Sequence, residues 1–93
     1  MDDDYARLCE VTDGCLWEWE YWRYRLASDP ERCAGITCIV GTRLTAPFIA
    51  GMALRAGVDD TADAYMCTVT DVRACLVWLR LVISGAGMGA YGA

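Results

Sequence analysis

Residues 15–26, which read CLWEWEYWRYRL, contain three of the four tryptophans and two of the five tyrosines of this 93-residue chain. Side chains of this size dominate the energetics of any core or interface that they enter. A chain this short must therefore either bury the segment in its own core or present it to a partner, and the rest of the fold has to accommodate that choice.

The spacing of Cys15, Trp19, Trp22 and Leu26 is typical of one face of an α-helix. Residues 17–21 also alternate between aromatic and acidic side chains, a pattern that favours a β-strand. The alternation ends at Trp22, which directly follows another aromatic residue. We therefore favour a helix over residues 15–27, with a strand at 17–21 as the alternative.

A second helix is predicted over residues 30–56. Ser28 and Glu31 have the spacing of a capping box, in which each residue satisfies a free backbone N–H at a helix start. Pro47 lacks a backbone N–H and is expected to kink this helix. Gly57 is well placed to end it.

The clearest helical periodicity lies in a third predicted helix, over residues 60–84. Its apolar residues recur in steps of four and three; they are Tyr65, Val69, Val72, Leu76, Leu79 and Ile83. An acidic helical segment is expected at about 3–11, and residues 85–93 form a Gly-rich C-terminal tail.

Together these segments predict one all-α domain over residues 1–93, a small three-helix bundle with up-down-up topology. Its helices would cover about 3–11 plus 15–27, then 30–56, then 60–84. The second helix would be kinked at Pro47.

The composition excludes several classes of function. The net charge of -5 would repel phosphate backbones, so no nucleic-acid partner is expected. The chain has neither His nor Lys, and all eight basic residues are Arg. Because the commonest catalytic bases and metal ligands are missing, we expect no enzyme and no small-molecule ligand.

Six cysteines raise the question of metals and disulfides. They contain no Cys-x-x-Cys pair, so no metal site and no cofactor are expected, and free Cys usually packs as a small hydrophobe. If disulfides form, the parallel first and third helices predict the pairs Cys9–Cys67 and Cys15–Cys75. Cys33, beside an Arg near a helix start, is the best candidate for a reactive thiolate.

Membrane contact is an alternative to a fully hydrated surface. Residues 34–57 and 72–93 are long and apolar enough to touch a bilayer, although each contains Arg. The acidic N-terminus lacks the features of a secretory signal, which predicts cytoplasmic synthesis. The final location is left open by the sequence, with assembly into a virion or membrane complex as one alternative.

The leading functional hypothesis is a non-enzymatic structural or accessory subunit of a larger assembly, such as a virion or a membrane-associated complex. Its partners would be other protein subunits. Aromatic residues off the core-facing stripe and a small-xxx-small pair are the expected partner-binding residues; they are Trp17, Tyr21, Tyr24, Gly85 and Gly89. The alternatives are a small cysteine-based redox or metal-binding protein and a peptide-binding or inhibitory module.

Overall fold

The computed structural model describes residues 2–14, 23–28 and 35–84. Within these ranges the chain is mostly helical, in agreement with the predicted all-α class, but it also contains a small antiparallel sheet. The elements in chain order are α1 (Asp2–Thr12), a 3₁₀ turn (Arg23–Arg25), β1 (Leu26–Ala27), β2 (Cys38–Ile39), α2 (Ala46–Ala56), α3 (Val58–Ala64) and α4 (Val69–Ser84).

The two short strands form an antiparallel pair. Leu26 lies opposite Ile39, and Ala27 lies opposite Cys38. The Val40 N–H donates to the Arg25 carbonyl over 2.8 Å and so extends the pairing by one bond. Gly41, with a φ of 81°, then turns the chain, because only glycine adopts this conformation without strain.

β2 and the turns on either side of it occupy residues 35–45 of the predicted helix at 30–56, and residues 30–34 lie outside the described residues. Residues 36–40 are a short run of mostly apolar and β-branched side chains with a glycine at each end, Gly35 and Gly41. This pattern is typical of a buried strand. Ser28 shares a 2.8 Å hydrogen bond with the Thr37 hydroxyl, and its predicted capping-box partner Glu31 lies outside the described residues.

Pro47 begins a helix rather than kinking one. It lies in the first turn of α2, where a missing N–H removes no helical hydrogen bond. The N-cap residue is Thr45, whose Oγ1 accepts from the Phe48 N–H over 3.3 Å. The prediction that Gly57 ends the helix is confirmed.

The third predicted helix is divided in two. α3 ends at Ala64 and α4 begins at Val69. Met66 between them has a φ of 57°, in the left-handed region that interrupts a right-handed helix. Tyr65 therefore lies outside α4, although it belongs to the predicted apolar stripe.

The hydrophobic core lies where α2 crosses α4, and α1 and α3 pack around these two helices. Alanine forms most of the buried face of α2, which consists of Ala46, Ile49, Ala50 and Ala53. On α4 the most deeply buried residues are Val72, Ala74, Cys75, Leu76 and Val77. Leu8 of α1 and Leu26 and Ile39 of the sheet complete this core.

Hydrogen bonds from Arg80 link α4 to the C-terminal end of α1. Its Nη1 donates to the Asp13 carboxylate over 2.9 Å and to the Thr12 hydroxyl over 3.0 Å. It also donates to the Cys9 carbonyl over 3.3 Å. A cation at this end of α1 complements the free carbonyls of the helix C-terminus.

The predicted up-down-up bundle does not describe this arrangement. Residues 23–27 of the first predicted helix form the 3₁₀ turn and β1, because Leu26 and Ala27 pair with β2. The predictions for residues 15–22, 29–34 and 85–93 fall outside the described residues.

We expect Leu76→Ala to lower the free energy of unfolding by about 2–5 kcal/mol, because it removes packed atoms from the core and leaves a cavity. Leu76 is 1% exposed. Urea unfolding followed by circular dichroism measures the change.

The matched control is Ile83→Ala, since Ile83 belongs to the same predicted stripe on α4 but is 50% exposed. Its effect should stay below about 1 kcal/mol. Equal losses in the two variants would contradict the position of the core.

Candidate functional site

The candidate site is an open groove of about 380 Å³ between the sheet and the start of α4, which we call the Tyr24 groove. Three parts of the chain line it: the 3₁₀ turn, the β2 turn and the junction between α3 and α4. The lining residues are Tyr24, Arg25, Ile39, Val40, Thr42, Met66, Cys67, Thr68 and Asp71.

An ion pair crosses the Tyr24 groove. Arg25 Nη1 donates to Asp71 Oδ1 over 3.0 Å, and the two residues are 46 positions apart in the sequence. The Asp71 side chain is 13% exposed, whereas that of Arg25 is 46% exposed. The Asp71 carboxylate is therefore mostly buried, and it binds the Arg25 guanidinium, which remains accessible to solvent.

A capping box fixes Asp71 at the start of α4. The Asp71 N–H donates to Thr68 Oγ1 over 3.0 Å, and the Thr68 N–H donates to Asp71 Oδ2 over 3.3 Å. Each side chain thus satisfies a backbone N–H that has no partner within the helix. Because the first oxygen of Asp71 binds Arg25 and the second binds Thr68, the carboxylate is held from two sides.

Large apolar side chains are exposed along the rim of the Tyr24 groove. Tyr24 is 72% exposed, Val40 is 55% exposed and Met66 is 93% exposed. Met66 also has the left-handed backbone conformation, which methionine rarely adopts. Three such side chains around one concavity are a pattern associated with binding surfaces.

The thiols near the groove are protonated at neutral pH. Burial, followed by the negative charge of Asp71, raises the pKa of Cys67 above its ordinary value. The pKa of Cys75 is raised more strongly, first by burial and then by its neighbours Cys67, Asp71 and Cys38. Because the thiolate is the reactive form, this environment favours a packing role for both residues.

Among the described residues no cysteine forms a disulfide; the cysteines there are Cys9, Cys38, Cys67 and Cys75. The predicted Cys9–Cys67 bridge is therefore not formed. Cys75 is a free thiol in the core, and its predicted partner Cys15 lies outside the described residues, as does Cys33.

Of the predicted partner-binding residues, the structure describes Tyr24 and places it on the rim of the groove. Trp17, Tyr21, Gly85 and Gly89 lie outside the described residues. Sequence analysis missed Arg25, Met66 and Asp71. The Thr68–Asp71 spacing is a capping-box signal that could have been found, whereas the pairing of Arg25 with Asp71 depends on the tertiary fold.

Neither a metal centre nor a membrane span is found in the part of the chain that the structure describes. Its Cys, Asp and Glu side chains form no group of three or more that could hold a metal ion. None of its helices is long and apolar enough to cross a membrane.

We expect Asp71→Ala to lower the free energy of unfolding by about 1–2 kcal/mol, because it removes half of a capping box and the partner of Arg25. Asp63→Ala is the control, since Asp63 is an exposed acid on α3. It should change stability by less than about 0.5 kcal/mol. Chemical denaturation of both variants makes the comparison, and equal effects would rule out the anchoring role of Asp71.

The raised pKa of Cys75 predicts a loss of stability at alkaline pH. Below the ordinary thiol pKa of 9.0 the residue is protonated in the folded and unfolded states. Above that value the unfolded state loses the proton first, so the free energy of unfolding falls as the pH rises.

Between pH 8 and pH 10 we expect Cys75 to account for about 1 kcal/mol of this loss. Cys75→Ala should be less stable than the parent chain at pH 8 but should lose less on going to pH 10. Denaturation curves across this range test the prediction, and parallel losses in the two proteins would refute it.

Comparison with known proteins places this chain in a family. No curated protein and no solved structure matches the chain. Residues 27–78 match a family model described as "Protein of unknown function (DUF433)". The match runs from β1 into α4, and it leaves Tyr24, Arg25 and α1 outside. Since it covers more than half of the 93 residues, the chain belongs to the DUF433 family.

Proposed function

We propose that this chain is a non-enzymatic helical subunit of a larger assembly, such as a virion or a membrane-associated complex, and that it acts by binding another protein. The observation that carries the proposal is the exposure of Tyr24, Val40 and Met66 around one groove. An aromatic and two aliphatic side chains at such a site gain free energy when a partner removes them from water.

The rigidity of the groove supports this proposal. Its walls come from three separate segments, and the Arg25–Asp71 pair and the Thr68–Asp71 capping box connect the 3₁₀ turn to α4. A surface that is already ordered loses less conformational entropy on binding than a flexible one. The exposed apolar side chains and these ordered contacts together support a binding role for the groove.

The chemistry of the groove favours binding over catalysis. Its titratable side chains are Arg25, Tyr24, Cys67 and Asp71. Asp71 is committed to two hydrogen bonds, and the raised pKa of Cys67 disfavours a thiolate nucleophile. These features also make the cysteine-based redox function the weaker alternative.

Tyr24→Ser tests the proposal. The isolated chain has a mass of 10.2 kDa, and in an extract of the cells that naturally contain it we expect a tagged copy to elute in a larger complex. Truncating this exposed aromatic residue of the groove should weaken that complex by about thirtyfold. Size-exclusion chromatography of gently crosslinked extract, with quantification of the tagged chain, measures this.

Ile83→Ser is the matched control, because Ile83 is an exposed apolar residue on α4 that does not line the groove. It should leave the elution of the complex unchanged. Circular dichroism of both purified variants checks that they are folded. Elution of the parent chain as a monomer, or equal effects of the two substitutions, would contradict the proposal.

A further inference from the structure

Arg25 has hydrogen-bonding capacity that its ion pair does not use. A guanidinium carries five N–H donors in a planar fork. Within the described residues, Arg25 donates to Asp71 through Nη1, and its side chain remains 46% exposed. The remaining donors are therefore available to an acceptor from outside the chain.

Asp71 orients the guanidinium of Arg25 but does not bind its other N–H donors. Both Asp71 oxygens are engaged, one by Arg25 and the other by the Thr68 N–H. A planar guanidinium can bind a second carboxylate along another edge, because parallel N–H donors match the two oxygens. Arg25 is thus a preorganised receptor for an anionic group.

Apolar side chains surround this receptor. Tyr24 precedes Arg25 in the same 3₁₀ turn, and Val40 and Met66 line the same groove. At about 380 Å³ the groove is near the lower end of the size range of ligand sites. It fits a few side chains of a protein segment better than a large cofactor.

From this juxtaposition we infer that the Tyr24 groove binds a protein segment in which a carboxylate side chain lies next to a large aliphatic one. Arg25 binds the carboxylate, and the aliphatic side chain contacts Tyr24, Val40 and Met66. This inference rests on the proposed function, and it adds the chemistry of the partner.

Charge favours this occupant over a polyanion. The chain as a whole carries a net charge of -5, so a nucleic acid would be repelled over its length. A single carboxylate interacts mainly with the nearest charges, because salt screens interactions beyond about 10 Å. Because Asp71 offsets the charge of Arg25, the site has no surplus positive charge to hold a polyanion, and Arg25 selects one acidic side chain through the parallel N–H donors of its guanidinium.

Two short probes test the inference: N-acetyl-leucyl-glutamate amide and N-acetyl-leucyl-glutamine amide. They differ in one charged group and have nearly the same shape. Titration of each into the isotope-labelled full chain is followed by NMR through the Arg25 Nε–H, the Val40 methyls and the Met66 methyl. We expect the glutamate probe to shift these signals and to bind about tenfold more tightly than the glutamine probe.

Substitution of Arg25 completes the test. Arg25→Lys keeps the positive charge but loses the planar fork, so most of the preference for the glutamate probe should disappear. Arg73→Lys is the control, since Arg73 is an exposed arginine on α4 outside the groove, and it should keep the full preference. The NMR spectra of both variants also report whether the fold is retained.

Equal affinity for the two probes, shifts confined to other surfaces, or an unchanged preference in Arg25→Lys would each overturn the inference. The proposed function fails separately. If Tyr24→Ser disrupts the cellular complex while the probes bind equally, protein binding stands and the carboxylate inference falls. A dimer of purified chain that dissociates in Tyr24→Ser, without a probe preference, would assign the groove to a second copy and overturn the inference.

Discussion

Close packing between α2 and α4 is the constraint on which the rest of the structure depends. The buried face of α2 is mostly alanine, with Ile49 as its one large side chain, and it meets the most deeply buried residues of α4. Small side chains let two helices approach closely, and they leave no room for larger ones.

The close packing of α2 on α4 fixes the relative position of the elements at the ends of both helices. These elements are the sheet that leads into α2 and the capping box that starts α4. The Tyr24 groove lies between those elements, so its shape follows from packing at a distance from it.

Two ion pairs join other parts of the chain to the two ends of α4. Arg80 and Asp13 join α1 to the C-terminal half of α4, whereas Arg25 and Asp71 join the 3₁₀ turn to its N-terminal end. Each pair links segments that are far apart in sequence, and each includes contacts with a helix end. Exposed ion pairs contribute little stability by themselves. Their role here is to fix the orientation of α1 and of the groove wall on a core that is held together by apolar packing.

The sequence predicted the mostly helical class, and the glycine at position 57 marked a helix end correctly. It did not predict the sheet, because residues 36–40 contain an apolar run whose periodicity fits a helix and a strand about equally. The bounding glycines and β-branched residues were the better guide there. Pro47 fits the start of a helix as well as a break within a long one, because its missing N–H removes no helical hydrogen bond in the first turn. For the site, Tyr24 is exposed in a 3₁₀ turn, and its expected place on a second face of the aromatic stretch stays a prediction because residues 15–22 lie outside the described residues. The pairing of Arg25 with Asp71 could not be predicted, since it depends on a contact across 46 positions.

Gly57 serves two helices at once. It is the C-cap of α2, its N–H bonds to the Ala53 carbonyl, and it is also the N-cap of α3. Gly57 alone lies between the two helices, so the angle between them is set by the backbone of a single residue with a φ of 97°. An inserted residue would lengthen this junction and change the position of α3 relative to α2. That change would displace the buried Thr61 and Ala62 from the core. The chain length at this junction is therefore fixed, and length variation among related sequences should fall elsewhere.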